Sequence, residues 1–358
     1  MSARLDQLIA TRIRQDVQSM HAYAIQDSRG MVKLDAMENP HRLAPELQRA
    51  LGERLGAVAL NRYPGGRIDD LKKALARHAG LPDGFGLMLG NGSDELISLL
   101  AMACDVPGAT VLAPMPGFVM YAMSAQLQGL KFVGVDLTPD LELDERAMLD
   151  AMALHQPAIV YLAYPNNPTA TLWNDAVIEK IVEAAPGLVV MDEAYQPFAA
   201  RSYMDRITRH EHVLVMRTMS KFGLAGVRIG YMMGPARLVD EVDKLRPPYN
   251  ISSLNCETAL FALEHEDVFA AQAAEIRSER ERLQAALRDM GLKAWRSEAN
   301  MVLVRVPDAD RSFEGMKARK VLVKNVSRMH PLLANCLRLT VGTADENAQM
   351  LAALRSTL

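Results

Sequence analysis

The sequence predicts an α/β fold in which a mostly parallel sheet is covered by helices on both faces and is followed by a smaller α+β unit. Short apolar runs rich in β-branched residues alternate with helical patterns over residues 46–233. Longer amphipathic helical patterns occupy residues 257–290, and three more strand-like runs come after them. Strands that are buried on both faces and separated by helices are typical of parallel sheets.

The first part of the chain contains seven runs that predict strands. They are bounded by glycine, proline or polar residues, as buried strands are. Helical patterns lie between them at 93–103, 145–155 and 174–185. The predicted strands are 86–90, 109–114, 131–137, 158–164, 187–195, 212–216 and 228–234.

The pattern changes at residues 244–253, where two prolines interrupt the chain. Beyond them, residues 257–290 predict long helices that end at Gly291. Strands are predicted at 299–306, 321–326 and 336–342. Residues 31–40 precede the large unit without a core of their own, so we expect the N-terminal arm to join the smaller unit. The predicted division is an arm over 1–43, a large domain over 44–246 and a small domain over 247–358.

The composition indicates an ordinary globular protein, with 49% hydrophobic residues and a net charge of −3 over 358 residues. This small net charge does not indicate binding to nucleic acid or to an anionic membrane. No apolar run approaches the roughly 20 residues that span a bilayer, and residues 1–16 do not resemble a secretory signal. The scattered Cys104, Cys256 and Cys336 suit a reducing compartment and give no support to a metal site. We therefore expect a cytoplasmic protein that acts on small molecules.

Glycines and polar side chains follow four of the predicted strands. Ligands of open parallel sheets bind beyond the carboxyl ends of the strands. Each group alone is common in turns and helix caps. Together they offer a glycine-rich turn at a helix start, an amide, a carboxylate with a phenol, an amine and a guanidinium. The residues are Gly90, Gly92, Ser93, Asp94, Asn166, Asn167, Asp192, Tyr195, Thr218, Ser220, Lys221 and Arg228.

This set matches the chemical needs of pyridoxal 5′-phosphate (PLP). A lysine such as Lys221 must bond to the aldehyde, and burial would lower its pKa so that the neutral amine is available. A carboxylate such as Asp192 must face the pyridine nitrogen and keep it protonated, so that the ring can accept electrons. The phosphate needs amides at a helix start, hydroxyls and an arginine. Ser93, Ser220 and Arg228 can supply them.

The motifs resemble those of the fold-type I PLP-dependent enzymes, and specifically the histidinol-phosphate aminotransferase family. The resemblance implies transamination between L-histidinol phosphate and 2-oxoglutarate, giving imidazole acetol phosphate and L-glutamate, as a step of histidine biosynthesis. The matching motifs occur in order along nearly the whole chain. They are "LDAMENP" (34–40), "NRYPGG" (61–66), "GNGSDELI" (90–97), "PNNPT" (165–169), "MDEAYQPF" (191–198), "SKFGLAGVRIGY" (220–231) and "NCLRLTVGT" (335–343).

The resemblance also implies roles for residues around the cofactor. Lys221 is expected to form the Schiff base and to move the proton at the substrate α-carbon. Asp192 is expected to pair with the pyridine nitrogen, while Asn167 and Tyr195 donate to the ring oxygen. The phosphate is expected to bind Ser220, Arg228 and the backbone amides of Ser93 and Asp94.

Two aromatic positions extend this set. The aromatic ring that stacks on the cofactor in this family matches Phe118, with Tyr121 as the rival. Tyr63 in "NRYPGG" matches a tyrosine that reaches the phosphate of the neighbouring subunit, which implies a homodimer.

Substrate recognition is expected to depend on cations, because histidinol phosphate and the dicarboxylate co-substrates are anions. Arg338 matches the family arginine that holds the α-carboxylate of glutamate or the substrate phosphate. Lys324 falls where many relatives carry arginine. Tyr23 of the arm and Asn250 in "PPYN", together with its neighbour Tyr249, are further candidates for substrate contacts.

Two departures from the family pattern affect the turns rather than the catalytic groups. Arg228 lies seven positions after Lys221, one fewer than in many relatives, so we expect a tighter turn. Ala170 stands where glycine is common.

Four other functions compete with this prediction. An aromatic amino acid aminotransferase and a threonine-phosphate decarboxylase share the scaffold. A regulatory PLP-binding domain would need a DNA-binding module, for which the roughly 30 residues before "LDAMENP" are too few. A nucleotide-dependent dehydrogenase is disfavoured because no G-x-G-x-x-G follows a predicted strand.

Overall fold

The computed structural model describes residues 2–20 and 26–358. The chain forms two compact units, Met1–Met31 and Val32–Leu358. In the described part of the first unit, helices α1 (Ala3–Arg12) and α2 (Gln15–Gln18) are tied by the Gln18 side chain, which donates to the carbonyl of Ile9 at 3.1 Å and to that of Ile13 at 2.7 Å. None of the helices over these described ranges has the length and apolar character needed to cross a bilayer.

The second unit contains the remaining helices and all the strands of the described residues. Its helices are α3 (Pro45–Gly56), α4 (Arg67–Ala79), α5 (Ser93–Ala103), α6 (Val119–Gln128), α7 (Glu145–His155), α8 (Asp175–Ala184), α9 (Ala236–Asp243), α10 (Ser253–Glu264), α11 (Glu266–Asp289), α12 (Ala309–Ala318) and α13 (Ala344–Arg355). Its strands are β1 (Val32–Lys33), β2 (Phe85–Gly90), β3 (Thr110–Met115), β4 (Lys131–Asp136), β5 (Ile159–Ala163), β6 (Leu188–Asp192), β7 (Val213–Thr218), β8 (Gly230–Pro235), β9 (Lys293–Ala294), β10 (Met301–Arg305), β11 (Val321–Leu322), β12 (Lys324–Asn325) and β13 (Cys336–Thr340).

The large sheet has seven strands in the order β2-β8-β7-β6-β5-β3-β4. Strands β3 to β7 pair in parallel, whereas β8 runs antiparallel to both of its neighbours. The mostly parallel sheet of the predicted α/β fold is therefore confirmed. Because β8 runs the other way, its first residues lie at the edge where the parallel strands end. Thr218 at the end of β7 is in register with Gly230 at the start of β8.

Both faces of this sheet are buried, which explains its continuous apolar runs. Along β5, Val160 and Leu162 face the cluster that includes α4, α7, α8 and α10. Ile159 and Tyr161 face the opposite cluster, which includes α5, α6 and α9. Helices therefore cover the sheet on both sides, as the alternating pattern predicts.

The C-terminal part forms a four-stranded sheet in the order β12-β13-β10-β9. Strand β1 lies apart from it and pairs in parallel with β11, with Val32 opposite Val321. This pairing supports the prediction that the chain before the large sheet joins the smaller unit, and the domain boundaries stay a prediction. The run 321–326 does not form one strand. It divides into β11 and β12, which belong to different sheets.

The two tryptophans lie beside different sheets. Trp173 is buried behind the turn that follows β5, and its indole N–H donates to the carbonyl of Leu141 at 3.1 Å. Trp295 follows β9 and lies between the cations of Lys293 and Arg305, which are 4.7 and 5.2 Å from its ring centroid. Both indoles belong to the hydrophobic cluster that includes the large sheet, and Trp295 has these two cations as additional neighbours.

Candidate functional site

A cavity of about 350 Å³ lies at the edge of the large sheet where the parallel strands end. Asp192 ends β6, in register with Ala163 of β5 and Met216 of β7. This edge gathers side chains that are far apart in the sequence, as the polar residues after the strands predict. The cavity is lined by the predicted site residues Ser93, Asp94, Phe118, Tyr121, Asn167, Asp192, Tyr195, Ser220, Lys221 and Arg228.

Lys221 lies in the helical turn Ser220–Leu224 that follows β7. Its Nζ donates to the carbonyl of Ala36 at 3.1 Å and lies 5.8 Å from the centroid of the Tyr195 ring. Burial, with the positive charges of Arg338 and Arg228 in support, lowers the pKa of Lys221 to about 8. The neutral, nucleophilic amine is therefore accessible near physiological pH.

Asp192 is a buried carboxylate with two hydrogen bonds. One oxygen accepts from the Tyr121 hydroxyl at 2.6 Å, and the other accepts from the Ala194 N–H at 3.0 Å. Burial raises the pKa of Asp192 to about 6, although both donors oppose that rise. Burial and the nearby Asp192 charge raise the pKa of Tyr121, so the phenol remains a donor.

The two aromatic rivals differ in their contacts. Tyr121 stacks on Tyr161 with ring centroids 4.3 Å apart and an interplanar angle of 6°. Phe118 meets Tyr121 edge-on, with centroids 5.6 Å apart. Tyr121 thus has one ring face and its hydroxyl engaged within the protein. Its hydrogen bond to Asp192 has no sequence signal, because the two residues are 71 positions apart.

The turn between β2 and α5 packs tightly against Arg228 and against the start of strand β8. A glycine is present at each of these two contacts, Gly92 in the turn and Gly230 in the strand. Gly92 has φ +82°, and a Cβ there would lie 2.4 Å from Nη2 of Arg228. A Cβ on Gly230 would lie 2.6 Å from the Ser93 nitrogen. Arg228 also approaches the Ser220 hydroxyl and the Asp94 carboxylate, each at 3.4 Å. A guanidinium, a hydroxyl and helix-start amides thus meet, which is the donor set of an anion site.

The short spacing between Lys221 and Arg228 is accommodated by unusual backbone angles. Gly223 has φ +141°, and Arg228 has φ +54°. Ala170 also lies in the left-handed region, with φ +60°. This is a conformation that glycine adopts without strain.

Arg338, on β13 of the smaller sheet, contacts the cavity-lining Asn167 but does not itself line the cavity. Its Nη1 donates to Oδ1 of Asn167, and its Nη2 donates to the Asp35 carbonyl, both at 2.8 Å. Because Oδ1 of Asn167 accepts this bond, its Nδ2 is oriented to donate elsewhere. Lys324 is opposite Arg338 in the antiparallel pair β12–β13, so the two side chains lie on one face of the sheet. Lys324 is half-buried and does not line the cavity.

Asn250 and Tyr63 are not among the residues that line this cavity. Asn250 lines a separate cavity and donates to the Glu95 carboxylate at 2.7 Å. Tyr63 is 77% exposed and stacks on Tyr249, with centroids 4.3 Å apart. Tyr23 lies outside the described residues. The roles suggested for Asn250, Tyr63 and Tyr23 stay predictions.

A buried ion pair behind the site was not expected from the sequence. Glu193 follows Asp192, and its carboxylate accepts from Nε of Arg217 at 2.9 Å, from the Ser202 hydroxyl and from the Tyr203 N–H. The pair joins the ends of β6 and β7, which carry Asp192 and Thr218. Only the position of these residues beside the predicted site could have drawn attention to them.

Over the described ranges, no three His, Cys, Asp or Glu side chains are grouped to hold a metal ion.

Comparison with known proteins identifies the relatives of this chain. The model of the family "Aminotransferase class I and II" matches residues 29–354. The histidinol-phosphate aminotransferase of Polaromonas naphthalenivorans (strain CJ2) is 71% identical over 358 residues, covering 99% of this chain and 98% of the relative. That of Methylibium petroleiphilum is 72% identical over 354 residues, covering 98% and 95%.

Solved structures share the fold. The histidinol-phosphate aminotransferase from Sinorhizobium meliloti in complex with pyridoxal 5′-phosphate has a TM-score of 0.82 and 25% identity, and the match covers 97% of each chain. The enzyme of the same name from Clostridium acetobutylicum has a TM-score of 0.82 at 21% identity, covering 90% of this chain and 97% of the other. The family match and the two relatives above 70% identity confirm the family resemblance drawn from the sequence motifs.

Proposed function

Because the chain belongs to the class I and II aminotransferase family, we propose that it transfers the amino group of L-histidinol phosphate to 2-oxoglutarate, reversibly and with PLP as cofactor. The products are imidazole acetol phosphate and L-glutamate. Two relatives bearing the name of this activity are 71% and 72% identical over nearly their whole length. The observation that carries the proposal is the cavity that joins a lysine of lowered pKa, a buried carboxylate and a glycine-walled turn.

The residues present fit PLP at both of its ends. The closed turn with Arg228 and Ser220 offers donors to a dianionic phosphate. At the other side of the cavity, Asp192 is a buried acid whose two hydrogen bonds favour the ionised form. Lys221 is the buried amine that an aldehyde requires.

When bound, PLP supplies an aldehyde that takes up the amino group and a ring that accepts electrons from the neighbouring carbon. Lys221 holds the aldehyde end and moves the proton at the substrate carbon that bears the amino group. Asp192 keeps the proton on the ring nitrogen. Asn167 and Tyr195 donate to the ring oxygen, and the Asn167 Nδ2 is available because its Oδ1 accepts from Arg338.

The remaining cofactor contacts follow the same placement. The amides of Ser93 and Asp94, with Ser220 and Arg228, hold the phosphate. Phe118 packs on the ring, because the stacking of Tyr121 on Tyr161 and its bond to Asp192 already engage that rival.

Substrate anions are held by Arg338, with Lys324 beside it on the same sheet face. A planar guanidinium can bind a carboxylate or a phosphate through two parallel hydrogen bonds, while an ammonium adds a point charge. This allows one site to accept both the phosphate substrate and the dicarboxylate. Tyr23 is proposed to cover the substrate from the N-terminal arm.

The functional unit is proposed to be a cytoplasmic homodimer. Tyr63 is 77% exposed and stacks on Tyr249, and this exposure supports a role outside its own subunit. In the homodimer Tyr63 reaches the phosphate in the partner's site. The three cysteines are free thiols, which suits a reducing compartment.

The test is a two-step absorbance experiment on the PLP-loaded protein. Histidinol phosphate should convert the cofactor to its amino form, and 2-oxoglutarate should restore the starting spectrum. Lys221→Ala should abolish both steps, and borohydride reduction with peptide mapping should label Lys221 in the wild type. Arg338→Ala should mainly raise KM, and unchanged half-reactions in that variant would contradict the proposed substrate recognition.

Two outcomes would assign a rival activity. A higher kcat/KM for phenylalanine than for histidinol phosphate would indicate an aromatic amino acid aminotransferase. Release of carbon dioxide from threonine phosphate without amino transfer would indicate a decarboxylase.

A further inference from the structure

The side chain of Asn250 has hydrogen bonds at both ends of its amide. Its Nδ2 donates to the Glu95 carboxylate at 2.7 Å and approaches the Leu89 carbonyl at 3.4 Å. Its Oδ1 accepts from Nη1 of Arg246 at 3.1 Å. The amide orientation is therefore fixed, since the oxygen faces a cation and the nitrogen faces two acceptors.

The partners of Asn250 lie on the two sides of the β2–α5 turn. Leu89 precedes the turn, and Glu95 follows it in the first turn of α5. The same oxygen of Glu95 also accepts from the Asn91 N–H at 2.6 Å. Asn250 and Glu95 thus form a clamp, the Asn250–Glu95 clamp, that links the two ends of this turn.

The backbone supports the same orientation of Asn250. Tyr249 has φ +58°, a left-handed conformation that is strained for a non-glycine residue. Arg246, which orients the amide oxygen, is itself held by Asp243 at 2.6 Å. Strained residues that persist because their surroundings hold them are concentrated at functional sites.

The clamp also holds the negative charge of Glu95 in a fixed position. Glu95 is an acid in the first turn of the helix whose amides are proposed to bind a phosphate dianion. Two N–H donors, the backbone of Asn91 and the side chain of Asn250, bind its carboxylate. If Asn250 were removed, the carboxylate would lose its side-chain partner and the turn would lose its tie to Leu89.

We propose that Asn250 and Glu95 are positioning residues that fix the amides of Ser93 and Asp94 for the phosphate end of the cofactor, and that Asn250 does not contact the substrate. This inference rests on the proposed function, because it presupposes PLP in the cavity. An anion site with fixed donors binds more tightly than one that must be ordered during binding. Loss of the clamp should therefore weaken binding of the phosphate group specifically.

The test compares two ligands of the apoprotein, PLP and pyridoxal, which lacks the phosphate. In Asn250→Ala and in Glu95→Ala the Kd for PLP should rise about tenfold, the size expected for one hydrogen bond to a charged group. The Kd for pyridoxal should change less than about twofold, because pyridoxal has no phosphate to be held. The double variant should be no worse than either single variant, because both break the same clamp. Glu95→Gln, which keeps the acceptor oxygen, should retain most of the affinity for PLP.

The matched control is Asn255→Ala, five residues along the chain, which should leave both Kd values unchanged. Equal weakening of PLP and pyridoxal in Asn250→Ala would overturn the proposal, because it would indicate general disruption. An unchanged Kd for PLP with a raised KM for histidinol phosphate would also overturn it, in favour of a substrate contact. Failure of the wild type to bind PLP would instead contradict the proposed function itself.

Discussion

Burial sets the chemistry of individual residues in this site, and Lys221 is the clearest case. Its pKa of about 8 lies below the ordinary value of 10.5. The fraction of neutral amine in the apoprotein therefore rises through pH 8 and not through pH 10. We expect the rate of PLP incorporation to increase between pH 7 and 9 and then to level off. Stopped-flow absorbance across pH 6–11 measures this rate, and a rise that continues beyond pH 10 would contradict the expectation.

Asp192 should destabilise the apoprotein at neutral pH. Its carboxyl has a folded-state pKa of about 6, above the ordinary value of 3.8. A raised pKa contributes stability that is present below pH 3.8 and is lost as the pH rises through 6, about 3 kcal/mol in all. Asp192→Asn cannot ionise, so its apoprotein should be about 1–3 kcal/mol more stable than the wild type at pH 7.5. Urea unfolding should show a smaller difference at pH 4.5, and an equal difference at both pH values would argue against ionisation as the cause.

The sequence predicts the reactive residues better than the residues that support them. Lys221, Asp192 and Arg228 belong to recognisable motifs at the ends of apolar runs. The hydroxyl of Tyr121 on Asp192 and the Arg217–Glu193 pair depend on how helices and strands pack, so no local pattern reveals them. The hydrogen bonds of Asn250 to Glu95 and Arg246 could not be inferred from "PPYN" alone.

At the scale of elements, the contact between strand β8 and the β2–α5 turn fixes the position of the turn that is proposed to bind the phosphate. A Cβ on Gly230 would lie 2.6 Å from the Gly92 carbonyl carbon and from the Ser93 nitrogen, so the turn would have to move. We expect Gly230→Ala to raise the Kd for PLP by about tenfold or more, as loss of a fixed hydrogen bond to a charged group does, because the turn that carries the Ser93 amide must be displaced. Fluorescence titration measures the Kd.

Gly52→Ala is the control for this variant. Gly52 lies in helix α3, where a Cβ would have open space. This substitution should leave the Kd for PLP unchanged and should stabilise the helix slightly. Wild-type affinity in Gly230→Ala would show that the turn tolerates displacement.

The elements themselves could be predicted where the apolar pattern is strong. Strands such as β5 and β6 are buried on both faces and leave continuous apolar runs. The antiparallel direction of β8 leaves no such trace, because a buried strand has the same composition in either direction. The division of 321–326 into two short strands depends on the partners β1 and β13, which are distant in sequence.

At the scale of the whole molecule, a shared site predicts complementation between defective subunits. Tyr63→Ala and Lys221→Ala homodimers should each be poorly active. A hybrid has one intact site, formed by Lys221 of one subunit and Tyr63 of the other. After unfolding and refolding of an equimolar mixture, activity should reach about a quarter of the wild-type value, since half of the dimers are hybrids with one working site. No recovery, with hybrids verified by mass spectrometry, would place Tyr63 in its own subunit's function.

The two sheets share their cores across the proposed domain boundary. Ala170, Tyr195 and Phe198 pack with β10 and β13, while Trp295 packs in the cluster that includes the large sheet. Trp173 and Trp295 are the only indoles in the chain, so Trp173→Phe and Trp295→Phe each leave a single fluorophore beside one sheet. We expect urea titrations of the two variants to share one midpoint after correction for any change in stability. Two separated midpoints would indicate that the surroundings of Trp173 and Trp295 unfold in separate steps, although both indoles belong to one hydrophobic cluster.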